Sequence, residues 1–483
     1  MASPGGARRI SGAGYWSDCR GHLPRAVTVN TPVSRPLPRS AIGRWVARQP
    51  PGLHRAARSV GWMGLEHAVR MATGLLVGVY VARHLGPAGF GVISYATALM
   101  LIGSALSRMG LQEVVTRDLV RDDATGDVTL GSALALRLTG GVLAYGVLLA
   151  YGLHAAADAD TRVAVLVIGA GVLAQPFDMA STWFQAKQRL APVALAHLGG
   201  VLSCAALRIG FVLTDKPLLW FAWPMVVEVA LGSTLMMVAY ARAAGSPLRW
   251  RVRWARVRSL LRAALPLTLV IATVELTLRL PQVLLVQLGS AAQAGHYAAA
   301  TRLSEALQFL PVITCTALFP AVIRGFEQGP AHFAQRMQAL YGAMLWGGLA
   351  VAAPMSLLAP WLIGLLFGSE FAAAAQVLRV HVWSLALIGL GVARSQALIA
   401  EGLVRFNLLG AVVNLALNVL LAWLLIPSLG AVGAAWASVL PRFVSAVVLN
   451  FAFASTRAQG WVMLRALWAP LLWLEYVRAR RVR

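Results

Sequence analysis

The composition of this 483-residue chain is that of a membrane protein, because 58% of its residues are hydrophobic and 12% are charged, against about 25% charged residues in a soluble domain. The net charge of +24 comes almost entirely from arginine, since Lys187 and Lys216 are the only lysines. A phosphate-binding loop needs Gly-Lys followed by Ser or Thr. Gln188 and Pro217 follow the two lysines, so ATP hydrolysis through such a loop is excluded.

Cysteine spacing favours neither a disulfide framework nor a metal site. Cys19, Cys204 and Cys315 are widely scattered, and the last two lie in apolar runs, where packing is the ordinary role. We therefore expect no metal and no cofactor.

Residues 1–58 are predicted to form a disordered, basic, cytoplasmic extension. The segment contains ten arginines and a single acid, Asp18, but no apolar run long enough for the core of a signal peptide. No apolar stretch follows Arg8 and Arg9, so a twin-arginine signal is not indicated. A start codon assigned too far upstream would explain the segment equally well.

About twelve apolar runs have the length of about 20 residues that spans a bilayer. The first set lies near residues 59–82, 88–111, 129–153, 162–185, 191–214 and 217–240. The second lies near residues 263–287, 296–322, 338–366, 376–400, 404–427 and 430–454. These runs predict an all-α polytopic membrane protein with two six-helix bundles, 59–240 and 263–455.

A short internal repeat supports two related halves. Residues 74–111 form an apolar hairpin hinged at Leu85-Gly86-Pro87, and a second Leu-Gly hinge occurs at Leu288-Gly289. After each hinge the same residue types recur at the same spacing, as Gly91, Ala96, Thr97 and Leu99 and again as Gly295, Ala300, Thr301 and Leu303. Parallel halves are a known device of secondary transporters.

The distribution of basic residues predicts that both termini lie inside, because cytoplasmic loops carry the excess of Lys and Arg. Alternate loops are basic, with Arg117, Arg121, Lys187, Arg189, Arg324, Arg336 and Arg405. The other loops are less basic: Arg83 lies at a helix end, Arg162 and Lys216 stand beside aspartates, and the segment from Gly289 to Gly295 is uncharged.

Two further basic segments are predicted to lie at the inner membrane surface. The linker 241–262 contains seven arginines, and Trp250, Trp254, Val257 and Leu261 recur at helical spacing. This pattern indicates an amphipathic helix on the inner leaflet, attracted to anionic lipid by about 1 kcal/mol per arginine. Nucleic-acid binding is disfavoured because both flanks enter the membrane. The tail 456–483 is interpreted as interfacial, since a thirteenth span would place its terminal arginines outside.

Several spans contain charges, which are costly inside a bilayer and normally face the bundle interior or a wet cavity. Three helices carry acid and arginine at helical spacing, as Glu66 with Arg70, Glu275 with Arg279 and Gln282, and Arg302 with Glu305. Each pair could also be a salt bridge that locks helices together.

The spans contain three further groups of polar residues: polar faces late in the chain, two acids without a local partner, and three arginines near helix ends. Two late spans also have a polar face. The eleventh carries Asn407, Asn414 and Asn418, and the twelfth carries Ser438, Arg442 and Ser445. Pro441 is expected to kink the twelfth helix. Asp178 and Glu228 have no local partner and are candidates for proton or cation sites or for hydrogen-bonded core roles. Arg137, Arg208 and Arg394 lie nearer helix ends, where snorkelling to the interface is expected.

Four arginines on both halves, Arg70, Arg279, Arg302 and Arg442, together predict a positive central cavity. Such a cavity suits an anion, and guanidinium is well shaped for phosphate.

The sequence resembles bacterial polysaccharide or O-antigen flippases of the multidrug/oligosaccharidyl-lipid/polysaccharide exporter superfamily over about residues 59–455. The motifs that carry the resemblance are Ala82-Arg83-His84-Leu85-Gly86-Pro87, Phe90-Gly91, Gly110-Leu111-Gln112, Gly295-His296-Tyr297, Arg302-Leu303, Phe319-Pro320, Leu366-Phe367-Gly368-Ser369-Glu370-Phe371 and Gly430-Ala431-Val432-Gly433-Ala434-Ala435.

The resemblance implies two six-helix bundles that alternate access to a polyprenyl-pyrophosphate-linked oligosaccharide, passed from the cytoplasmic to the outer leaflet of the bacterial inner membrane. It also implies polysaccharide polymerase and glycosyltransferase partners. Arg70 and Arg279 are the first candidates for the pyrophosphate, followed by Arg302 and Arg442. Asn414, Asn418 and Trp183 are candidates for the glycan.

The sequence departs from the family at the seventh helix, where relatives often carry an acid and this chain has Leu280-Pro281-Gln282. Ion coupling would then fall to Glu275, or be absent, with Glu66, Asp178 and Glu228 as further candidates.

Two other functions compete. A multidrug exporter of the same superfamily would prefer a net acidic cavity. A membrane glycosyltransferase or polymerase is disfavoured because the only Asp-x-Asp, Asp158-Ala159-Asp160, lies in a short loop and no catalytic motif is present.

Overall fold

The computed structural model describes residues 51–122, 125–155 and 158–468. Residues 1–50 of the expected N-terminal extension and residues 469–483 of the expected tail lie outside this described part. Every regular element within it is helical, as the apolar runs predicted.

Between residues 51 and 244, the described part of the N-terminal half contains seven α-helices: α1 (Pro51–Arg108), α2 (Leu111–Arg121), α3 (Gly126–Ala155), α4 (Ala159–Ala174), α5 (Ala180–Ala186), α6 (Ala191–Leu213) and α7 (Trp223–Ala244). The C-terminal half contains α8 (Trp254–Leu288), α9 (Ala291–Glu305), α10 (Phe309–Glu327), α11 (Pro330–Leu357), α12 (Ala359–Phe367), α13 (Ala374–His381), α14 (Ser384–Ala400), α15 (Val404–Phe443) and α16 (Leu449–Ala452). A last helix, α17 (Ala454–Arg465), follows. Short 3₁₀ turns occupy Gln175–Met179, Leu218–Ala222, Pro247–Arg249, Ser369–Phe371 and Ala466–Trp468, and a π-helical turn occupies Val444–Val448.

Two glycine breaks account for the number of membrane spans. In the described residues, ten helical segments are long and apolar enough to cross a membrane. Gly86, at φ 65° and ψ 176°, interrupts the first segment, and Gly430, at φ 55° and ψ −130°, interrupts the last. Glycine adopts these positive φ angles without the steric penalty of a Cβ. Each break divides one segment into two spans, which confirms the expected twelve.

The repeated glycines Gly91 and Gly295 face each other where the two halves cross. A Cβ on Gly91 would overlap the carbonyl oxygen of Ala291, and a Cβ on Gly295 would overlap the carbonyl oxygen of Pro87. Small residues let membrane helices approach backbone to backbone in this way. We call this part of the molecule, where Gly86, Gly91 and Gly295 lie, the closed end.

Polar contacts between the halves reinforce the closed end. Arg83 of α1 donates to the carbonyl oxygens of Leu366 at 2.7 Å and Leu365 at 2.5 Å, which belong to the last turn of α12. The final carbonyls of a helix have no partner within the helix and attract cations. Gln287 of α8 donates to the hydroxyls of Tyr95 at 3.2 Å and Tyr151. The closed end is therefore held by hydrogen bonds as well as by close packing.

The linker differs from the separate surface helix that the sequence suggested. Residues 254–262 form the first turns of the long helix α8, because nothing between Leu261 and Leu265 ends a helix. The linker also packs on the N-terminal half, where Arg256 Nη2 lies 2.9 Å from Asp118 Oδ2. Val257 is buried, whereas Trp254 is 80% exposed.

The start of the tail packs against the C-terminal half. Trp346 Nε1 of α11 donates to the carbonyl oxygen of Ala466 at 3.3 Å. Gln459 of α17 donates to Glu401 Oε1 at 2.5 Å and accepts from the hydroxyl of Tyr341 at 3.4 Å. These contacts fix α17 on the loop between α14 and α15.

Candidate functional site

A cavity of about 1040 Å³ lies between the two halves. Its walls come from the arm of α1 before Gly86, from α6 of the same half, and from α8, α9 and α10 of the other half. The charged side chains that line it are Glu66, Arg70, Arg208, Arg279, Arg302 and Glu305. The structure thus brings together three of the four arginines expected in the cavity, and we call it the central cavity.

Two carboxylates neutralise Arg70. Its Nε lies 2.8 Å from Glu66 Oε1 on the preceding turn of α1, and its Nη1 lies 2.9 Å from Glu228 Oε1 on α7. Glu228 therefore has the partner that the local sequence did not show, because that partner lies 158 residues away.

Two carboxylates also approach Arg279, in the other half. Arg279 Nη1 lies 3.6 Å from Glu305 Oε2 and its Nε lies 4.0 Å from Glu275 Oε2. Glu275 also lies 3.7 Å from Arg108 Nη2, which links the two halves. Glu305 thus pairs with an arginine of another helix rather than with Arg302 of its own.

Arg302 has aromatic and backbone partners instead of a carboxylate. Its guanidinium carbon lies 4.8 Å from the centre of the Phe90 ring, a cation–π contact, and Nη1 donates to the carbonyl oxygen of Gly74 at 3.3 Å. A Cβ on Gly78 would overlap this guanidinium, so that glycine provides the space that Arg302 occupies.

Arg208 is the functional candidate that the sequence argument missed. It lines the central cavity and a smaller cavity of about 170 Å³ beside it, and Arg302 lines both as well. Within the described residues, neither arginine forms an ion pair. The expectation that Arg208 snorkels at a helix end is therefore not met. The sequence around Arg208 could not predict its place in the cavity, because the residues that surround it there belong to α1 and α9.

The charge of this region is less positive than the sequence suggested. The charged residues that line the central cavity and those that form ion pairs with them comprise five arginines and four glutamates, a difference of one positive charge. They are Arg70, Arg108, Arg208, Arg279 and Arg302, and Glu66, Glu228, Glu275 and Glu305. The unpaired positive charge is concentrated at Arg208 and Arg302.

The other predicted site residues of the C-terminal half do not reach the central cavity. Arg442 and Asn414 line a separate cavity of about 340 Å³ between α8, α14 and α15. Asn418 is fully buried and donates to the carbonyl oxygen of Ala437 at 3.0 Å, which joins the two arms of α15. The predicted grouping of these three residues with Arg70 is therefore not observed.

Asp178 lies in a fourth cavity, of about 290 Å³, within the N-terminal half. Its Oδ1 lies 3.0 Å from His197 Nε2, and its Oδ2 accepts from Ser181 at 3.2 Å. Arg137 lines the same cavity and is 2% exposed. Arg394 is 4% exposed, so the expectation that Arg137 and Arg394 snorkel is wrong. Both are held inside the helix bundle by its packing.

Trp183 is placed among aromatic side chains rather than in a cavity. Its ring lies edge-on to Phe184 at 5.1 Å and to Tyr240 at 5.6 Å between centroids. This is an ordinary packing arrangement. In the described ranges, no group of three or more His, Cys, Asp or Glu side chains is placed to hold a metal ion.

These features define an all-helical, multi-pass membrane protein with two six-helix halves around a charged cavity. Three solved transporters have a similar fold. An inward-facing multidrug resistance MATE family transporter of the MOP superfamily has a TM-score of 0.64 at 16% identity, over 84% of this chain and 99% of that one. Lipid II flippase MurJ in an inward closed conformation has a TM-score of 0.66 at 11% identity, over 86% and 92%. A MOP superfamily transporter from Pyrococcus furiosus, described as having a binding pocket of reverse polarity, has a TM-score of 0.54 at 18% identity, over 85% and 96%.

Sequence comparison identifies the family. The model of the polysaccharide biosynthesis protein family matches residues 56–326, more than half of the chain, and the protein belongs to this family. None of the curated proteins matches the chain. The family agrees with the polysaccharide part of the expected resemblance, and the fold is one that these MOP superfamily and MurJ structures share.

Proposed function

We propose that the protein moves a polyprenyl-pyrophosphate-linked oligosaccharide from the cytoplasmic to the outer leaflet of the bacterial inner membrane, for surface polysaccharide biosynthesis. The observation that carries this proposal is that Arg208 and Arg302, from opposite halves, line one cavity without a carboxylate partner. Family membership supports the assignment to polysaccharide export.

The chemistry of the arginine pair fits a pyrophosphate. Guanidinium stays charged, presents five N–H donors in a planar fork and binds phosphate oxygens in a bidentate manner. Arg208 lies on α6 and Arg302 lies on α9, so an anion bound by both joins the two halves. A ligand shifts a conformational equilibrium when it binds one state more tightly, and binding across the halves provides this difference.

Arg70 and Arg279 play a second part in this proposal. Each forms ion pairs with two carboxylates, so a phosphate that reaches either guanidinium must displace an acid. The displaced Glu66, Glu228, Glu275 or Glu305 could then take up a proton or a cation. This exchange would couple transport to an ion even though the chain has Leu280-Pro281-Gln282 where relatives often carry an acid.

The direction of transport follows from the basic loops. The arginine distribution assigns the closed end to the outer side, and the central cavity is lined by residues 63–75 of α1, the part of that arm remote from Gly86. The substrate therefore enters from the cytoplasmic side. A polysaccharide polymerase and glycosyltransferases are the expected partners.

Drug export is the alternative that one observation favours. Glu66 and Glu305 line the central cavity, Glu228 and Glu275 pair with its arginines, and these acids could hold a cationic drug. The small excess of positive charge argues against it.

The deciding experiment is a binding titration of the purified protein in nanodiscs with a polyprenyl-pyrophosphate oligosaccharide and, separately, with a cationic dye. We expect saturable binding of the lipid-linked sugar that Arg208→Gln and Arg302→Gln each weaken about tenfold or more, since a hydrogen bond to a charged group contributes about 1.5–3 kcal/mol. Arg162→Gln, at an exposed position in α4, is the matched control and should bind normally.

The titration distinguishes lipid-linked sugar transport from drug export, and the variants test which residues bind the sugar. Binding of the dye alone would assign the protein to drug export. Binding of the lipid-linked sugar that is unchanged in both variants would remove Arg208 and Arg302 from the site. In Arg70→Ala, Glu66 and Glu228 would lose their cation, so loss of binding there would not separate a substrate contact from a damaged structure.

A further inference from the structure

The cavity of about 340 Å³ in the C-terminal half contains two arginines that the proposed transport site does not use. It lies between α8, α14 and both arms of α15, and we call it the C-terminal cavity. Its polar lining consists of Thr273, Thr277, Arg394, Ser395, Asn407, Asn414, Arg442 and Ser445. The remaining walls are mainly apolar, with Val274 and Leu278 of α8 among them.

Both arginines are almost fully enclosed and have few protein partners. Arg394 is 4% exposed and Arg442 is 8% exposed. Arg394 Nε donates to Asn450 Oδ1 at 2.6 Å, and Arg442 Nη1 donates to the carbonyl oxygen of Ser438 at 2.8 Å. In the part of the chain that the structure describes, neither guanidinium forms an ion pair. Each has five N–H donors, so most of them are free to bind a ligand.

A buried cation without an opposite charge is strongly unfavourable. The central cavity solves this problem with glutamates, because Arg70 and Arg279 each contact two carboxylates. The C-terminal cavity has no acid in its lining. Asn414 Oδ1 is also buried there without a hydrogen-bond partner, and as an acceptor it needs a donor, such as the hydroxyl of a protonated phosphate. An anion from outside the chain would supply the missing charge.

The backbone of the cavity wall is a second, independent indication of a binding site. The π-helical turn Val444–Val448 follows Pro441 and Arg442 directly, and it contributes Ser445 and Ala446 to the lining. Single π-helical turns occur frequently at functional sites. Ser445 lines the same cavity as Arg442, and its hydroxyl donates to the carbonyl oxygen of Arg442 at 3.2 Å.

We propose that the C-terminal cavity binds a phosphate-bearing anion through Arg394 and Arg442, separately from the substrate in the central cavity. Guanidinium, amide and hydroxyl donors match phosphate oxygens, and the apolar walls accept an attached hydrocarbon. The phosphate could be free in solution or belong to the headgroup of an anionic phospholipid. This inference does not depend on the proposed transport substrate.

The first measurement is the unfolding temperature of the purified protein in a neutral detergent, with inorganic phosphate added at constant ionic strength. We expect a saturating rise for the wild type, because a ligand that binds the folded state stabilises it. In Arg394→Gln and Arg442→Gln the phosphate concentration at half effect should increase about tenfold or more. Arg405→Gln, at an exposed position of α15 outside the cavity, should behave as the wild type.

The second measurement separates the two sources of phosphate. The same variants are compared in nanodiscs of phosphatidylcholine alone and with added phosphatidylglycerol. Stabilisation by phosphatidylglycerol without any effect of inorganic phosphate would assign the site to a lipid headgroup. Arg442→Lys keeps the charge without the planar fork, so it should retain part of the effect and covers the case in which Arg442→Gln does not fold.

The proposal is overturned if neither phosphate nor phosphatidylglycerol stabilises the wild type. It is also overturned if the stabilisation is the same in Arg394→Gln, Arg442→Lys and wild type. Binding of the lipid-linked sugar is measured independently on these variants, whose Arg208 and Arg302 are unchanged, so failure of one proposal does not imply failure of the other.

Discussion

A single methyl group at Gly91 should open the closed end. In Gly91→Ala the new Cβ would overlap the carbonyl oxygen of Ala291 and lie 2.7 Å from its carbonyl carbon and 2.9 Å from Gly295 N. Comfortable contact between carbon atoms requires about 3.5–4.0 Å, so the two helices must separate by on the order of 1 Å. All three neighbouring atoms belong to backbone, which cannot rotate away as a side chain could.

The cost falls only on conformations in which these helices cross at this distance. Overpacking of a tight contact costs about 1–3 kcal/mol, which corresponds to about a 5–150-fold shift of a two-state equilibrium. Gly91→Ala should therefore shift the protein toward conformations in which the closed end is open. Gly146→Ala in α3 is the matched control, because nothing lies within 4 Å of its new Cβ.

The assay is the labelling rate of a cysteine at the closed end by a membrane-impermeant maleimide. Val283 of α8 is 8% exposed and packs against residues of the N-terminal half, so Val283→Cys reports separation of the halves once the native cysteines have been replaced. We expect labelling to be about 5–150-fold faster with Gly91→Ala than with Gly146→Ala. Equal labelling rates in two folded variants would refute the close backbone crossing as a determinant of this conformation.

Three further predictions concern the cavity and the C-terminal half. Gly78→Ala should weaken binding of the lipid-linked sugar in the nanodisc titration, because its Cβ displaces the guanidinium of Arg302 without removing the charge. Burial raises the pKa of Glu401, although the hydrogen bond from Gln459 opposes the shift. The protonated carboxyl therefore contributes stability below the ordinary glutamate pKa, and this contribution is lost as the pH rises through the raised pKa. Glu401→Gln keeps an acceptor for Gln459, so its unfolding temperature should exceed that of the wild type at neutral pH and equal it in acid. Tyr297→Phe removes a buried hydroxyl that bonds to α15 at 2.9 Å, which should cost about 0.5–1.5 kcal/mol and lower the unfolding temperature, whereas an unchanged value would show that this bond contributes nothing.

The ion pairs show which contacts the spacing of residues in the sequence could predict and which it could not. Glu66 and Arg70 lie four residues apart, and the sequence suggested their bond because positions i and i+4 share a helix face. Glu305 shares a face with Arg302 in the same way, yet the structure pairs it with Arg279 at 3.6 Å. Local spacing thus identified one pair and missed the other, since it contains no information about which helix lies opposite.

The linker shows a similar limit. Its tryptophans at helical spacing indicated a helix, and residues 254–262 are helical. The end of that helix could not be read from the amphipathic pattern, because the same turns continue into the seventh span. Asp118 and the linker arginine that contacts it lie 138 residues apart, so packing on the N-terminal half was also outside the reach of local patterns.

The sequence by itself determined the membrane class, the twelve spans, the hinge at Gly86 and the recurrence of Gly91 as Gly295. These features follow from the thickness of a bilayer and from backbone geometry, both of which act on short stretches of chain. Only the tertiary structure decided which arginines are neutralised, that Arg208 and Arg302 are not, and that Arg442 belongs to a separate cavity. Such partnerships depend on how each helix is rotated about its axis and which helices surround it, and packing of the whole bundle sets both.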